Sequence, residues 1–315
     1  MTSDEINKRL KELLGISDQE YEKISLAYEN EIVSIYKNVL KEIKVKIANI
    51  FEKLGDDVTY SDMMLYNRLT NLEKQIAEQI KNLTNDVIKT TKEKLSYFFS
   101  ESFNLSSYAI EKSLGIELGF GIIDPLTIET AWKNQLTKIS WPKSMQDHAQ
   151  QYVNAIRSEL TQGLIQGKGY AKIAAAITEK TGINAGKVLR IVRTEGHRVQ
   201  NIAREISYSN AMQSAERLGL KMVKVWVATL DNKTRDSHAS MDGQEADDEG
   251  MFTYPGGDKT PAPGVQGPPE EVINCRCTTT MQLKDFPPKF RRDQETGNII
   301  EYQSFADWKK KKGIA

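Results

Sequence analysis

The sequence predicts a mainly α protein with a small α+β module toward its C-terminus: a long N-terminal helical hairpin, a helical middle, and a short antiparallel β-ribbon bearing a Cys/His cluster. Three observations predict it. From Ile24 to Val87, apolar residues recur at spacings of four and three, the seam of a helix packed lengthwise on a partner. Residues 222–229 and 278–283 lack that period and are rich in β-branched side chains, as strands are. Between those strands, residues 251–273 hold four glycines and five prolines, the composition of an irregular loop.

The first helix is expected over about 18–54, with Ile24, Tyr28, Ile32, Tyr36, Val39, Ile43, Ile47, Ile50 and Leu54 on one stripe. Gly55-Asp56-Asp57 and Ser61-Asp62 supply C-cap and N-cap chemistry. A second seam runs Leu65, Leu69, Leu72, Ile76, Ile80, Leu83 and Val87. The two predict a hairpin with arms about 40–55 Å long at roughly 1.5 Å per residue. Such arms suit a docking element, and equally one layer of an ordinary bundle. Over 101–125 the pattern weakens: Ser106-Ser107, three glycines between 115 and 121, and Asp124-Pro125 mark a domain boundary. Helices are expected at about 126–136, 144–165 and 169–180, the last stopped near Gly182, and then at 184–218, closed by Gly219. The tail carries Pro287-Pro288 and a short helix over about 303–311. The expected domains are therefore 1–124, 125–283 (helical over 125–219, Cys/His β-module over 220–283) and 284–315.

At 315 residues, 39% hydrophobic and 27% charged, the chain can bury a core in two or three domains. Its formal net charge of zero gives no prior for nucleic acid as the main partner. Charge is uneven, however. Residues 226–280 carry ten acidic against four basic side chains, whereas the C-terminus ends in Lys309-Lys310-Lys311-Lys312. No run approaches the roughly 18 apolar residues of a membrane span, and the N-terminus lacks the layout of a secretory signal. A reducing cytoplasm is expected. There the two cysteines are free thiols or ligands rather than a disulfide, and a Cys-x-Cys bridge would be strained.

Those cysteines, Cys275 and Cys277, are the only two in the chain, and there are only three histidines. Pairing of the two strands would bring His238, leaving the first, to Cys275 and Cys277, entering the second. Alternate residues of a strand face the same way, so both sulfurs can reach one ion. A tetrahedral zinc needs a fourth ligand, for which Asp231, Asp236, His197 or water are candidates. A cross-link there would offset the closure entropy of the long loop. Two other readings stay open: buried thiols serving as small apolar side chains, and a thiolate activated by His238 for nucleophilic chemistry. The sequence offers no orienting third group for the latter beyond Asn274. Asp231 is expected to cap backbone amides in a turn, Trp226 to be core, and Arg235 to pair with a carboxylate, Glu195 among them. His197 is expected on an exposed helix face, and His148 to be incidental.

The ordered string Arg193-Thr194-Glu195, Trp226-x-Ala228-Thr229-x-Asp231-x-x-Thr234-Arg235-x-x-His238-x-x-x-Asp242-Gly243, Phe252, Pro263-Gly264 and Asn274-Cys275-Arg276-Cys277 resembles the phage Mu F-like, or head morphogenesis, domain over about 170–283. The resemblance implies a minor capsid protein of a tailed double-stranded-DNA phage or prophage. Such a protein is a virion component, in the host cytoplasm during assembly, inside the head near the portal vertex. It is linked to DNA packaging or ejection. The implied partners are the portal protein, scaffold or major capsid protein, and double-stranded DNA. The resemblance also implies that His238, Cys275 and Cys277 are metal ligands, so one structural zinc ion is the expected cofactor. No catalytic residues are expected. The alternative is a metal-dependent hydrolase or nuclease using the same three residues, with Glu195 or Asp231 as base. A fragment lacking residues 1–120 is expected to fold but not to join proheads.

Overall fold

The computed structural model describes residues 3–55, 57–133, 140–284, 290–292 and 299–301. The predicted helix over 303–311, Pro287-Pro288 and the lysine run lie outside the described residues.

Helix α1 spans Ser3–Leu54, beginning well before residue 18 because Leu10 and Leu14 extend the buried stripe upstream. The stop comes at Gly55, in the left-handed region at φ 93°. Thr59 then caps α2 (Tyr60–Met64): it accepts from the Asp62 amide while Asp62 accepts from the Thr59 amide, a reciprocal capping box. A 3₁₀ turn over Leu65–Asn67 leads into α3 (Arg68–Leu114). Next come α4 (Pro125–Lys133), α5 (Trp141–Ile165) and α6 (Tyr170–Arg217). The expected break at Gly182 does not occur. A single glycine costs a helix only about 1 kcal/mol relative to alanine, and Ile177 and Val188 are buried on either side of it. Gly219, at φ 75°, ends α6 as expected, with the Leu220 amide donating back to the Ala215 carbonyl.

The β-ribbon pairs β1 (Met222–Val227) with a later strand, Thr278–Leu283, antiparallel, with Trp226 opposite Thr279. The intervening segment is more ordered than its composition predicts. It contains α7 (Asp236–Ser240), a small hairpin of β2 (Phe252–Thr253) and β3 (Lys259–Thr260), and α8 (Pro269–Val272) before the closing strand, β4. Beyond it, β5 (Phe290–Arg292) pairs with β6 (Ile299–Glu301).

By spatial contact the chain forms two units, each assembled from separated stretches. One comprises residues 26–93 and 139–192. Its core interleaves Ile43 and Ile47 of α1, Ile76 and Ile80 of α3, Ile156 and Leu160 of α5, and Ile177 of α6. Buried tyrosines end in hydrogen bonds: Tyr28 to Thr91 at 2.7 Å, and Tyr36 to Asn184 at 2.9 Å.

The other unit comprises residues 1–25, 94–138 and 193–315. Leu10 and Leu14 pack with Ile110, Tyr208, Met281 and Leu283, and the Leu283 amide donates to Asn7 Oδ1 at 2.9 Å. The fully buried Arg204 guanidinium pairs with Asp18 at 2.5 Å. The expected fragment lacking residues 1–120 would lose one wall of this core. Among the described residues, no helix is long and apolar enough to cross a membrane.

Candidate metal centre

The centre is built where the ribbon closes. After β1 the chain turns through Ala228, whose amide donates to Asp242 Oδ1 at 2.9 Å, and Leu230, held at φ 53°. Asp231 Oδ1 then accepts from the Lys233 amide at 2.9 Å, the expected turn. The short helix α7 follows and carries His238, which is 1% exposed. On the return path, α8 gives way to Asn274 at φ 55°, and the next three residues lead into β4. In this segment ahead of β4 the burial alternates, and Cys275 and Cys277 are both buried. Between them Arg276 reaches out to Asp231, its Nη2 2.6 Å from Oδ1. That hydrogen bond is the main cause holding the Asp231 carboxyl well below the usual range.

The three ligand atoms converge. His238 Nδ1 lies 3.3 Å from Cys277 Sγ and 3.6 Å from Cys275 Sγ. Tetrahedral zinc with bonds of about 2.3 Å to sulfur and about 2.0 Å to nitrogen places S and N about 3.5 Å apart. The donor set and its spacing fit such an ion. The sulfurs are also prepared for it. A hydrogen bond from Cys275 pulls the Cys277 thiol down, while burial pushes Cys275 up. Binding of an ion would displace the thiol protons that remain.

Aromatic rings fix the imidazole. Trp226, fully buried as expected, meets His238 edge-on with centroids 5.7 Å apart, and Tyr254 stacks on it at 5.8 Å. Gly243, at φ 81°, lets the chain turn back so that its amide donates to the Trp226 carbonyl at 2.9 Å. A side chain there would strain the backbone.

Among the described residues the clustered group is His238, Cys275 and Cys277; Asp231, Asp236 and His197 are not in it. Asp231 is engaged with Arg276 instead. His197 is not on a solvated face: its Nε2 donates to the Cys277 carbonyl at 2.7 Å, and burial pushes it down to about 4, so it stays neutral. The expected Glu195–Arg235 pair does not form either. Glu195 faces Arg198 one helical turn away, 2.8 Å from its Nη2, and Arg235 donates to the Ile273 carbonyl that opens the Cys-x-Cys segment. His148 lies on α5, where its carbonyl accepts from Asn184.

Sequence reasoning missed Glu271. Its Oε2 sits 2.9 Å from His238 Nε2 and accepts from Ser237 Oγ at 2.9 Å. Nothing in the pattern singled it out: it is one of ten acidic residues over 226–280, and only the α7–α8 contact selects it.

The family model described as Phage Mu protein F like protein matches residues 154–280, which include every residue of this centre. Minor head protein GP7 of Bacillus phage SPP1 is 29% identical over 300 residues, spanning 94% of this chain and 96% of that protein. NAD(+)--arginine ADP-ribosyltransferase EFV of Enterococcus faecalis (strain ATCC 700802 / V583) is 27% identical over 304 residues, spanning 96% of this chain and only 60% of that protein. No solved structure matches the chain significantly.

Proposed function

From the premise that residues 154–280 form a Phage Mu protein F-like domain, we propose that the chain is a minor head protein of a tailed double-stranded-DNA phage or prophage. The observation that carries this reading is the end-to-end likeness to a minor head protein, which extends well beyond the Cys/His module. In this reading the chain joins the prohead at the portal vertex and assists assembly, DNA packaging or ejection. Its partners are the portal and, during assembly, scaffold or major capsid protein. The helical segment 1–124 supplies the docking surface, and 125–283 is the head morphogenesis domain.

The centre's role in that reading is structural. One zinc held by His238, Cys275 and Cys277 pins a segment of some fifty residues between β1 and β4 whose own apolar core is the small cluster of Met241, Phe252 and Tyr254 around Trp226. The fourth position is left to a water or an unassigned protein ligand. A hydrolase or nuclease using this ion fits less well. The three ligands are at most 4% exposed, so substrate has no approach to the metal, and Asp231, a candidate base, is held by Arg276. The transferase activity in the name of the Enterococcus relative belongs to a protein with 40% of its length outside the match.

Two measurements test this. Particles purified from a producing host should contain the chain, detected by mass spectrometry; particles that lack it would sink the assignment. Metal analysis should give one zinc per chain, lost in His238→Ala and Cys275→Ser, with a lower melting temperature in both variants. A well-folded wild type without metal removes the zinc from the reading but leaves the head-protein assignment standing.

A further inference from the structure

We propose that Glu271 is the residue that positions the metal centre, acting through His238. This inference rests on the zinc reading above. An imidazole that ligates through Nδ1 carries its proton on Nε2, and a buried N–H needs an acceptor. Nδ1 is the nitrogen that faces both sulfurs. On the other edge of the ring, Nε2 lies 2.9 Å from Glu271 Oε2 and has no aligned hydrogen-bond partner of its own. Closing that bond to the carboxylate would select the tautomer that leaves the Nδ1 lone pair free for the ion. Its negative charge also makes the imidazole a stronger donor, as outer carboxylates do for metal-bound histidines.

Glu271 is itself held in place. Ser237, the residue preceding the ligand, donates its hydroxyl to the same oxygen at 2.9 Å. Arg235, two residues further back, donates to the Ile273 carbonyl. Thus α7 carries one ligand and α8 leads directly into the other two, and the carboxylate spans the gap between them. The position of Glu271 across the ring from the sulfurs makes it an outer partner rather than the missing fourth ligand.

The test uses the full chain and zinc itself. Zinc affinity is measured by competition with a chromophoric chelator for wild type, Glu271→Gln and Ser237→Ala, beside the melting temperature of each metal-free protein. The glutamine keeps the shape and an acceptor oxygen but loses the charge. It should still bind one zinc, about 10–100-fold more weakly, with metal-free stability unchanged. Ser237→Ala, which frees the carboxylate without removing it, should weaken zinc by a smaller factor. Cobalt(II) substituted into Glu271→Gln should keep its thiolate charge-transfer bands while the ligand-field bands move. Wild-type zinc affinity in both variants overturns the proposal, as does a loss confined to metal-free stability with the cobalt spectrum unaltered. If wild type binds no zinc, the centre itself fails; if it does and the variants match it, only the role of Glu271 fails.

Discussion

At the scale of single residues, the buried tyrosines show how polar groups are accommodated inside long helices. Thr91 Oγ1 donates to the Val87 carbonyl one turn back at 2.6 Å, so its proton is committed and Tyr28 must be the donor to it. Tyr152 and Thr181 repeat the arrangement, with Thr181 donating to the Ile177 carbonyl. Burial pushes the Tyr28 hydroxyl up to about 12. The folded state therefore keeps a proton that the unfolded chain loses near pH 10, so this contribution is complete below pH 10 and is lost as pH rises toward 12. Its size is about 2–3 kcal/mol. Tyr28→Phe should cost about 1 kcal/mol at neutral pH and make the alkaline decline shallower, read by denaturant melts across that window. An equally steep decline in the variant would refute the assignment. Sequence could single out His238, Cys275 and Cys277, which the fold brings together, because scarce residue types stand out in a chain with so few of them. The Glu271 and His197 contacts are different. Glutamate is abundant, and a helix-borne histidine is as compatible with solvent as with a buried carbonyl until the facing element is known.

Among the elements, the helices and the ribbon were legible because periodicity is a local property, and the ribbon pairs over the strands that composition marked. Their ends were not. Glycine at 182 reads as a stop, yet it lies inside a helix of 48 residues, because tertiary burial on both sides outweighs one poor helix former. Two glycines with opposite surroundings test this. Gly182 is exposed, and an added Cβ would meet nothing within 4 Å, so Gly182→Ala should raise stability by about 0.5–1 kcal/mol. Gly163 on α5 is buried, and a Cβ there would come within 2.6 Å of the Ile173 side chain on α6. Gly163→Ala should instead cost about 1–3 kcal/mol through overpacking. Thermal melts of the two variants should move in opposite directions. A shift of the same sign in both would mean that helix propensity, not the close approach of α5 and α6, governs these positions.

Over the whole molecule, connectivity hides what packing joins. Neither unit is continuous in sequence, and the hydrogen bond from the Leu283 amide to Asn7 closes a loop of 276 residues. Periodicity along the chain could suggest that residues 1–124 stand apart as a docking arm, but it could not show that Leu10, Leu14, Phe98, Phe99 and Ile110 are buried in the unit that also holds the Cys/His cluster. The consequence is testable. Deleting residues 1–120 uncovers the apolar faces of Tyr208, Met281 and Leu283 and strips the buried Arg204 of Asp18. Uncompensated burial of a charge alone costs about 3–5 kcal/mol, a large fraction of the roughly 5–15 kcal/mol by which a domain is stable. The fragment 121–315 should therefore lack a cooperative thermal transition and fail to hold zinc tightly, even though it retains His238, Cys275, Cys277 and Glu271. Circular dichroism melts and zinc titration of that fragment decide the matter. A sharp transition with wild-type zinc affinity would show that the module folds without its N-terminal wall. Any failure of the fragment to enter proheads would then report on docking rather than on folding.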